Sequence, residues 1–338
     1  LSGSIQKKKK HHFIPVTYLK RFTNNAGLIF TYRKDTPEIF TEAPPERTGF
    51  INHYYRQPIP GGGWDHNTIE DAFQEIEGLW TPAIKRLRAQ EPFSPSQLVE
   101  LFAFIAALHV RVPSTRDAVE QSLSEQVKRA ARDLDASGYF PPKPEGLEDI
   151  LDHTEIAIDP HQSLHAMDNI AKTFENVIDI LGFKIIKNET PLPLITTDNP
   201  VVFFNPNKKE EKVLPYRISI SKGDIEFFTP LDTQHLLYGH TRLHASFLKD
   251  GISYTSMRDK YAIKRINRYL ARFAYQSIFT STHEHAPLIK RHSIHSPVIG
   301  TPPELRLING RPDVDSDLLI KGMVFGDRRT KPKWAAAR

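Results

Sequence analysis

The chain has 338 residues, 39% hydrophobic and 10% aromatic, enough apolar material for one large or two modest folded domains. It contains no cysteine, which excludes disulfides, cysteine-ligated zinc and a thiol nucleophile. Its formal charge of +5 is terminal: residues 1–21 and 321–338 are strongly basic and the body between them is net negative. Basic ends suit phosphate backbones, so nucleic acid bound through the termini is one expected partner. No stretch reaches the roughly 18 consecutive apolar residues of a membrane span, and no secretory signal precedes the basic run. The expectation is a soluble, cytoplasmic protein that does not enter membranes.

Residues 7–22 (KKKKHHFIPVTYLKRF) hold more potential chemistry than any later window. Pro15 disfavours helical geometry at Ile14, so HHFIP is expected as a short strand or extended arm, with a helix starting at Pro15. Neighbouring side chains of a strand leave on opposite faces, so His11 and His12 cannot both point at one ion unless the backbone bends. Either is a candidate general base or metal ligand. The plainer alternative is that one caps or packs and the other is solvated. Tyr18, Leu19 and Phe22 form an apolar stripe on the following helix. Residues 27–34 (GLIFTYRK) read as a strand paired with 38–41 across a turn at 35–37. Residues 50–56 suggest a further strand, and 58–63 (PIPGGG) a loop.

A helix capped by Asp65 or Asn67 is expected to run to about Ala89, with Ile69, Phe73, Ile76, Trp80, Ile84 and Leu87 on one face and a kink at Pro82. Ser94-Pro95 is a good cap and first-turn pair for a helix through Val110. That helix (LVELFAFIAALHV) is apolar nearly all round and belongs at the centre of a bundle. A polar helix over 116–136, a linker over 137–148 and a helix over 163–181 follow. The second half then turns to short β-rich runs at 183–187, 194–197, 201–204, 224–229 and 235–238, which suit a mixed or antiparallel sheet. A helix over 258–277 packs back on it through Ile263, Ile266, Leu270 and Phe273, and a strand at 277–280 closes the sheet. No P-loop, dinucleotide glycine fingerprint or Gly-x-Ser-x-Gly elbow occurs.

Glu70 and Glu77 lie two helical turns apart, so their carboxylates can project along one face and join an imidazole in metal-carboxylate chemistry. The same spacing also describes an ordinary solvated face. Thr197-Asp198-Asn199-Pro200 follows a strand, where Asp and Asn favour a tight turn and a catalytic carboxylate is well placed. Arg111, at the end of the apolar helix, either meets the helix dipole or clamps a phosphate or carboxylate. His283, His285, His292 and His295 match no standard zinc spacing. A His-metal-finger nuclease needs a second His on a following helix; the chain supplies His12 and Asn67 without it.

HHFIPVTYLKRF at 11–22, TTDNPVVFF at 196–204 and FTPLD at 228–232 together resemble an uncharacterised bacterial family, the domain of unknown function 4238. Its members open on His-His-x-x-Pro…Tyr-Leu-x-x-Phe and carry a Ser/Thr-Asp-Asn-Pro turn in the second half. The likeness runs from His11 to about Thr280. It implies a shared fold and polar site, with no activity attached. Carried over, it points at His11, His12, Asp198 and Asn199, and more loosely at Glu70 and Glu77.

The fold expected is α+β: an N-terminal arm and small β element over 7–60, a helical bundle over 64–182, sheet plus helix over 183–282, and a His/Pro-rich basic tail over 283–338, all as one composite domain. The first function expected is metal-assisted phosphodiester hydrolysis of nucleic acid. His11 or His12 would act as base, His12, Glu70, Glu77 and Asp198 would hold magnesium or manganese, and Asn199 and Arg111 would complete the site. The alternatives are a non-catalytic binding module, in which the same residues hold the arm onto the core, and a hydrolase of small molecules or nucleotides.

Overall fold

A strand, a proline and a single helical turn open the chain, as the HHFIP stretch requires. The computed structural model describes residues 8–218, 223–299, 307–308, 311–312 and 323–327. Lys7 of the amino-terminal basic run, Lys321 and residues 328–338 lie outside the described residues. Strand β1 (Lys10–His12) leads to Pro15, whose extended ψ of 138° precedes α1 (Val16–Leu19) and a 3-10 turn over Lys20–Phe22. β2 (Ile29–Arg33) and β3 (Thr36–Ala43) form the expected hairpin, with an irregularity between Tyr32 and Arg33. β4 (Phe50–Asn52) turns back on β1, placing Phe50 opposite His12 and Asn52 opposite Lys10. The glycines of PIPGGG form the tip of a small ribbon, β5 (Gln57–Pro58) with β6 (Trp64–Asp65). Gly61, Gly62 and Gly63 all have φ near +90 to +100°, a region closed to most side chains.

The expected long helix is two: α2 (Thr68–Gly78) and α3 (Trp80–Arg88). Pro82 explains the break, since its ring cannot coexist with a helical carbonyl four residues earlier, at Gly78. Asp65 Oδ1 accepts from the N–H groups of Asn67 and Thr68 at 2.9 and 3.1 Å, so Asp65 caps α2. α4 (Pro95–Val110) opens on a complete capping box between Ser94 and Gln97. α5 (Pro113–Ala136) starts three residues before the expected boundary because Pro113 is preorganised for a first turn. The short α6 (Ile150–His153), α7 (Pro160–His165) and α8 (Met167–Asp179) follow. Among the described residues no single helix is long and apolar enough to cross a membrane; α4 and α5 are bent by 58° at their junction.

The second half supplies β7 (Gly182–Asn188), β8 (Thr196–Thr197), β9 (Val202–Phe204), β10 (Glu226–Pro230) and β11 (His235–His240). Then come α9 (His244–Asp250), β12 (Ser253–Met257), α10 (Lys260–Phe273), β13 (Ser277–Thr280), α11 (Ala286–His292) and β14 (His295–Ile299). Two small pairs end the described chain: β15 (Leu307–Ile308) with β16 (Arg311–Pro312), and β14 with β17 (Met323–Asp327). The main sheet has the order β12-β7-β11-β10-β9 and is antiparallel except for β12 on β7. A second sheet, β3-β2-β13-β8, draws strands from both halves of the chain. The class is α+β.

The signature residues sit inside this core. Tyr18, Leu19 and Phe22 are fully buried. Tyr18 packs on Trp80, which stacks on Phe104 of α4 at 4.2 Å between ring centroids. The Tyr18 hydroxyl donates to the Pro230 carbonyl at 2.7 Å and shares a hydrogen bond with Thr196 Oγ1 at 2.8 Å, so one side chain links β8 with β10. Lys34, only 4% exposed, donates through Nζ to the carbonyls of Ala271 and Ala274 at 2.9 and 2.8 Å, at the C-terminal end of α10. A buried ammonium on carbonyls at a helix C-terminus satisfies both the orphan acceptors and the dipole. Replacing it by Met should leave those carbonyls unpaired and lower unfolding stability by about 2–4 kcal/mol, measured by chemical denaturation of Lys34→Met.

Candidate functional site

Arg111 is the centre of the polar interior. α4 ends there because Val112 and Pro113 leave the helical path, and the last side chain turns inward with no exposure. Nη1 donates to Glu77 Oε1 at 2.7 Å, Nη2 donates to the His12 carbonyl, and the guanidinium lies over the Phe73 ring at 4.4 Å. The Arg111 carbonyl accepts from the Tyr55 hydroxyl at 3.1 Å. The clamp foreseen for Arg111 thus closes on the protein's own carboxylate and backbone.

Glu70 and Glu77 do share one face of α2. Glu77 is taken up by Arg111; Glu70 is 5% exposed, and burial pushes its carboxyl up to about 7. Arg111 pulls Glu70 the other way, and Glu77 adds to the rise. His12 is held down to about 4, first by burial and then by the Arg111 charge. Glu70 Oε2, His12 Nε2 and Arg111 Nε are all buried and make no hydrogen bond among the described residues.

His11 leaves β1 on the opposite face, as strand geometry dictates, and is fully buried. Its Nδ1 accepts from the Tyr55 N–H at 2.7 Å and its Nε2 donates to the Lys8 carbonyl at 3.2 Å, which fixes the tautomer. The ring stacks on Tyr55 at 5.6 Å with 7° between planes, and burial lowers its pKa.

Asp198 and Asn199 form a separate site. The Asp198 carboxylate accepts the N–H groups of Tyr275, Gln276 and Ser277 at 2.7, 2.6 and 2.8 Å, pinning the turn between α10 and β13. Burial pushes this carboxyl up, while the three N–H donors and Lys34 pull it back. Asn199 Nδ2 donates to the Phe273 carbonyl at 2.8 Å and to the Tyr216 hydroxyl. No hydrogen bond or ion pair joins either residue to His11, His12, Glu70, Glu77 or Arg111.

The ligand set expected for a divalent metal is therefore not assembled. Among the described residues no three or more His, Asp or Glu side chains are grouped to hold an ion. The reasons are electrostatic. Asp198 already faces three N–H donors, and the Arg111 guanidinium supplies positive charge beside Glu70 and Glu77.

The motif FTPLD at 228–232 ends on a carboxylate that local spacing did not single out. Asp232, 1% exposed, accepts Arg88 Nε and Nη2 on Oδ2 at 3.0 and 2.7 Å. Its Oδ1 takes the N–H groups of Gln234 and His235 at 2.7 and 2.8 Å and His235 Nδ1 at 3.0 Å. Burial alone would raise the Asp232 carboxyl; His235, the Gln234 N–H and Arg88 hold it below its usual range. The signal was present as Asp-x-x-His at the end of a β-rich run. His235 and Arg88 face a cleft of about 220 Å³, which Lys187, Tyr254 and Ser256 also line.

The fold and these buried clusters define an α+β protein whose signature side chains are bonded into its interior. The chain belongs to the family described as Protein of unknown function (DUF4238), whose sequence profile matches residues 10–284. No curated protein and no solved structure matches it.

Two outcomes follow from these environments. Glu70 keeps its proton to about pH 7 when folded against an ordinary 4.5, so ionising it costs stability as pH rises through that window. Glu70→Gln should match the wild type below about pH 4.5 and exceed it by about 1–3 kcal/mol above about pH 7, read from denaturation midpoints across the range. Asp198→Asn turns one acceptor oxygen into a donor facing N–H groups and should cost about 2–4 kcal/mol at neutral pH, measured the same way.

Proposed function

We propose that this protein is a non-catalytic binding module in which the paired histidines and the Asp-Asn-Pro turn hold the amino-terminal strand and the α10–β13 corner in place. The observation that carries this reading is hydrogen-bond saturation: both ring nitrogens of His11 are bonded, and Asp198 accepts three backbone N–H groups. A general base needs a lone pair within reach of substrate, and His11 offers none. Lys9 and Lys10 stay exposed on the anchored strand. Nucleic acid, met by the basic terminal runs, is the partner this reading favours.

The second reading, a hydrolase of nucleic acid or small nucleotides, rests on the unbonded Glu70 Oε2, His12 Nε2 and Arg111 Nε. Unsatisfied buried polar atoms with shifted pKa values mark functional sites more often than chance. In that role Glu70 and neutral His12 would exchange protons with the substrate and Arg111 would stabilise developing negative charge. The donors present do not fit a magnesium or manganese ion, because Arg111 already supplies positive charge to Glu77.

Mixed RNA and DNA incubated with manganese or magnesium, with and without EDTA, separates the two. The binding reading expects no metal-dependent cleavage, gel retardation that weakens with salt, and a thermal midpoint lowered by about 5 °C or more in His11→Ala, His12→Ala. Cleavage by the wild type, lost in a double variant of unchanged thermal stability, would overturn it in favour of hydrolysis.

A further inference from the structure

We propose that the cleft between α3 and the β7–β12 edge binds a phosphate group, either as the free ion or as a small phosphate monoester. The inference deepens the binding role above by naming a ligand, and it fails separately, since phosphate affinity and nucleic-acid cleavage are read in different assays.

The argument is one of charge. Two cations, Arg88 and Lys187, line the cleft, and the buried Asp232 carboxylate lies behind Arg88. Asp232 holds Arg88 through Nε and Nη2 on the same oxygen, which fixes the plane of the guanidinium. Arg88 Nη1 is left without a partner among the described residues, and the side chain is 47% exposed. Among the described residues the carboxylate paired with Lys187 is Glu189, at 3.9 Å, and Glu189 is already bonded to Arg258 and Ser256 at 2.9 Å each. Arg88 and Lys187 against Asp232 leave about one positive charge in excess at the cleft, which a phosphate group would neutralise.

The shape and chemistry of the walls agree. A guanidinium fork already locked in orientation loses little freedom on meeting a tetrahedral oxyanion. His235 lines the same cleft with Nδ1 turned to Asp232, which leaves Nε2 for a ligand oxygen. Thr255 adds a hydroxyl, while Ser256 already donates its own to Glu189. At about 220 Å³ the cleft holds a phosphate with a few waters, and is smaller than the roughly 300 Å³ at which drug-sized pockets begin.

The test is calorimetric titration of the full chain with inorganic phosphate at constant ionic strength, repeated with glycerol 3-phosphate to tell free ion from monoester and with chloride as control. Saturable binding is expected, about tenfold weaker in Lys187→Gln and retained in Lys187→Arg. The Lys187 side chain bonds to no other element among the described residues, so the Gln variant should keep the wild-type thermal midpoint. Absence of saturable binding to either phosphate, or equal affinity in the wild type and Lys187→Gln, would overturn the proposal.

Discussion

The Arg111 guanidinium is the charge around which the amino-terminal half is arranged. Burying it without partners would cost several kcal/mol, and its partners come from distant parts of the chain: the His12 carbonyl on β1, Glu77 on α2 and the Phe73 ring between them. Its carbonyl in turn holds Tyr55, whose N–H fixes His11. One buried cation therefore sets the position of the arm, the rotation of α2 and the tautomer of an imidazole. The cost falls on Glu70, which shares the pocket without a partner for Oε2.

The family signature reads as a set of such anchors. Tyr18 joins two strands through its hydroxyl, Asp198 closes the corner after α10, and Asp232 aligns Arg88 and His235. Each is a polar atom on a buried side chain, where every bond must be met from within. Polar anchors of this kind specify one arrangement, because an alternative packing would leave the same atoms unpaired. Of the three, Asp232 orients groups that border a cleft, Arg88 and His235.

Much of the fold was legible in local sequence. Ser94-Pro95-x-Gln97 announced the start of α4, the apolar run placed that helix at the centre, and Pro15 separated arm from helix. The i, i+7 spacing put Glu70 and Glu77 on one face. Among the elements passed over, α11 and β14 fall in the stretch read as a His/Pro-rich tail, α9 and β12 are short, and β12 is an edge strand with little burial (SYTSM), so its pattern carried no hydrophobic alternation. Arg111 was visible as a candidate, but its partners were not, because contacts spanning 34 and 99 residues leave no trace in local spacing. For Asp198, sequence showed a turn and could not show which N–H groups it would receive. That difference separates a catalytic carboxylate from an architectural one.

The sheet β3-β2-β13-β8 has a further consequence, for how the chain reaches its fold. β2 pairs with β13, and Lys34, just after the first, closes bonds to α10 across 237 residues. While the chain is being synthesised, β2 and β3 leave the ribosome long before β13 exists, so their inner edge must wait unpaired. Pairing at such separation closes a large loop before it gains any contact energy, which slows folding and prolongs exposure of an open strand edge. A chain cut short before residue 277 lacks the strand that β2 requires, however complete its helices.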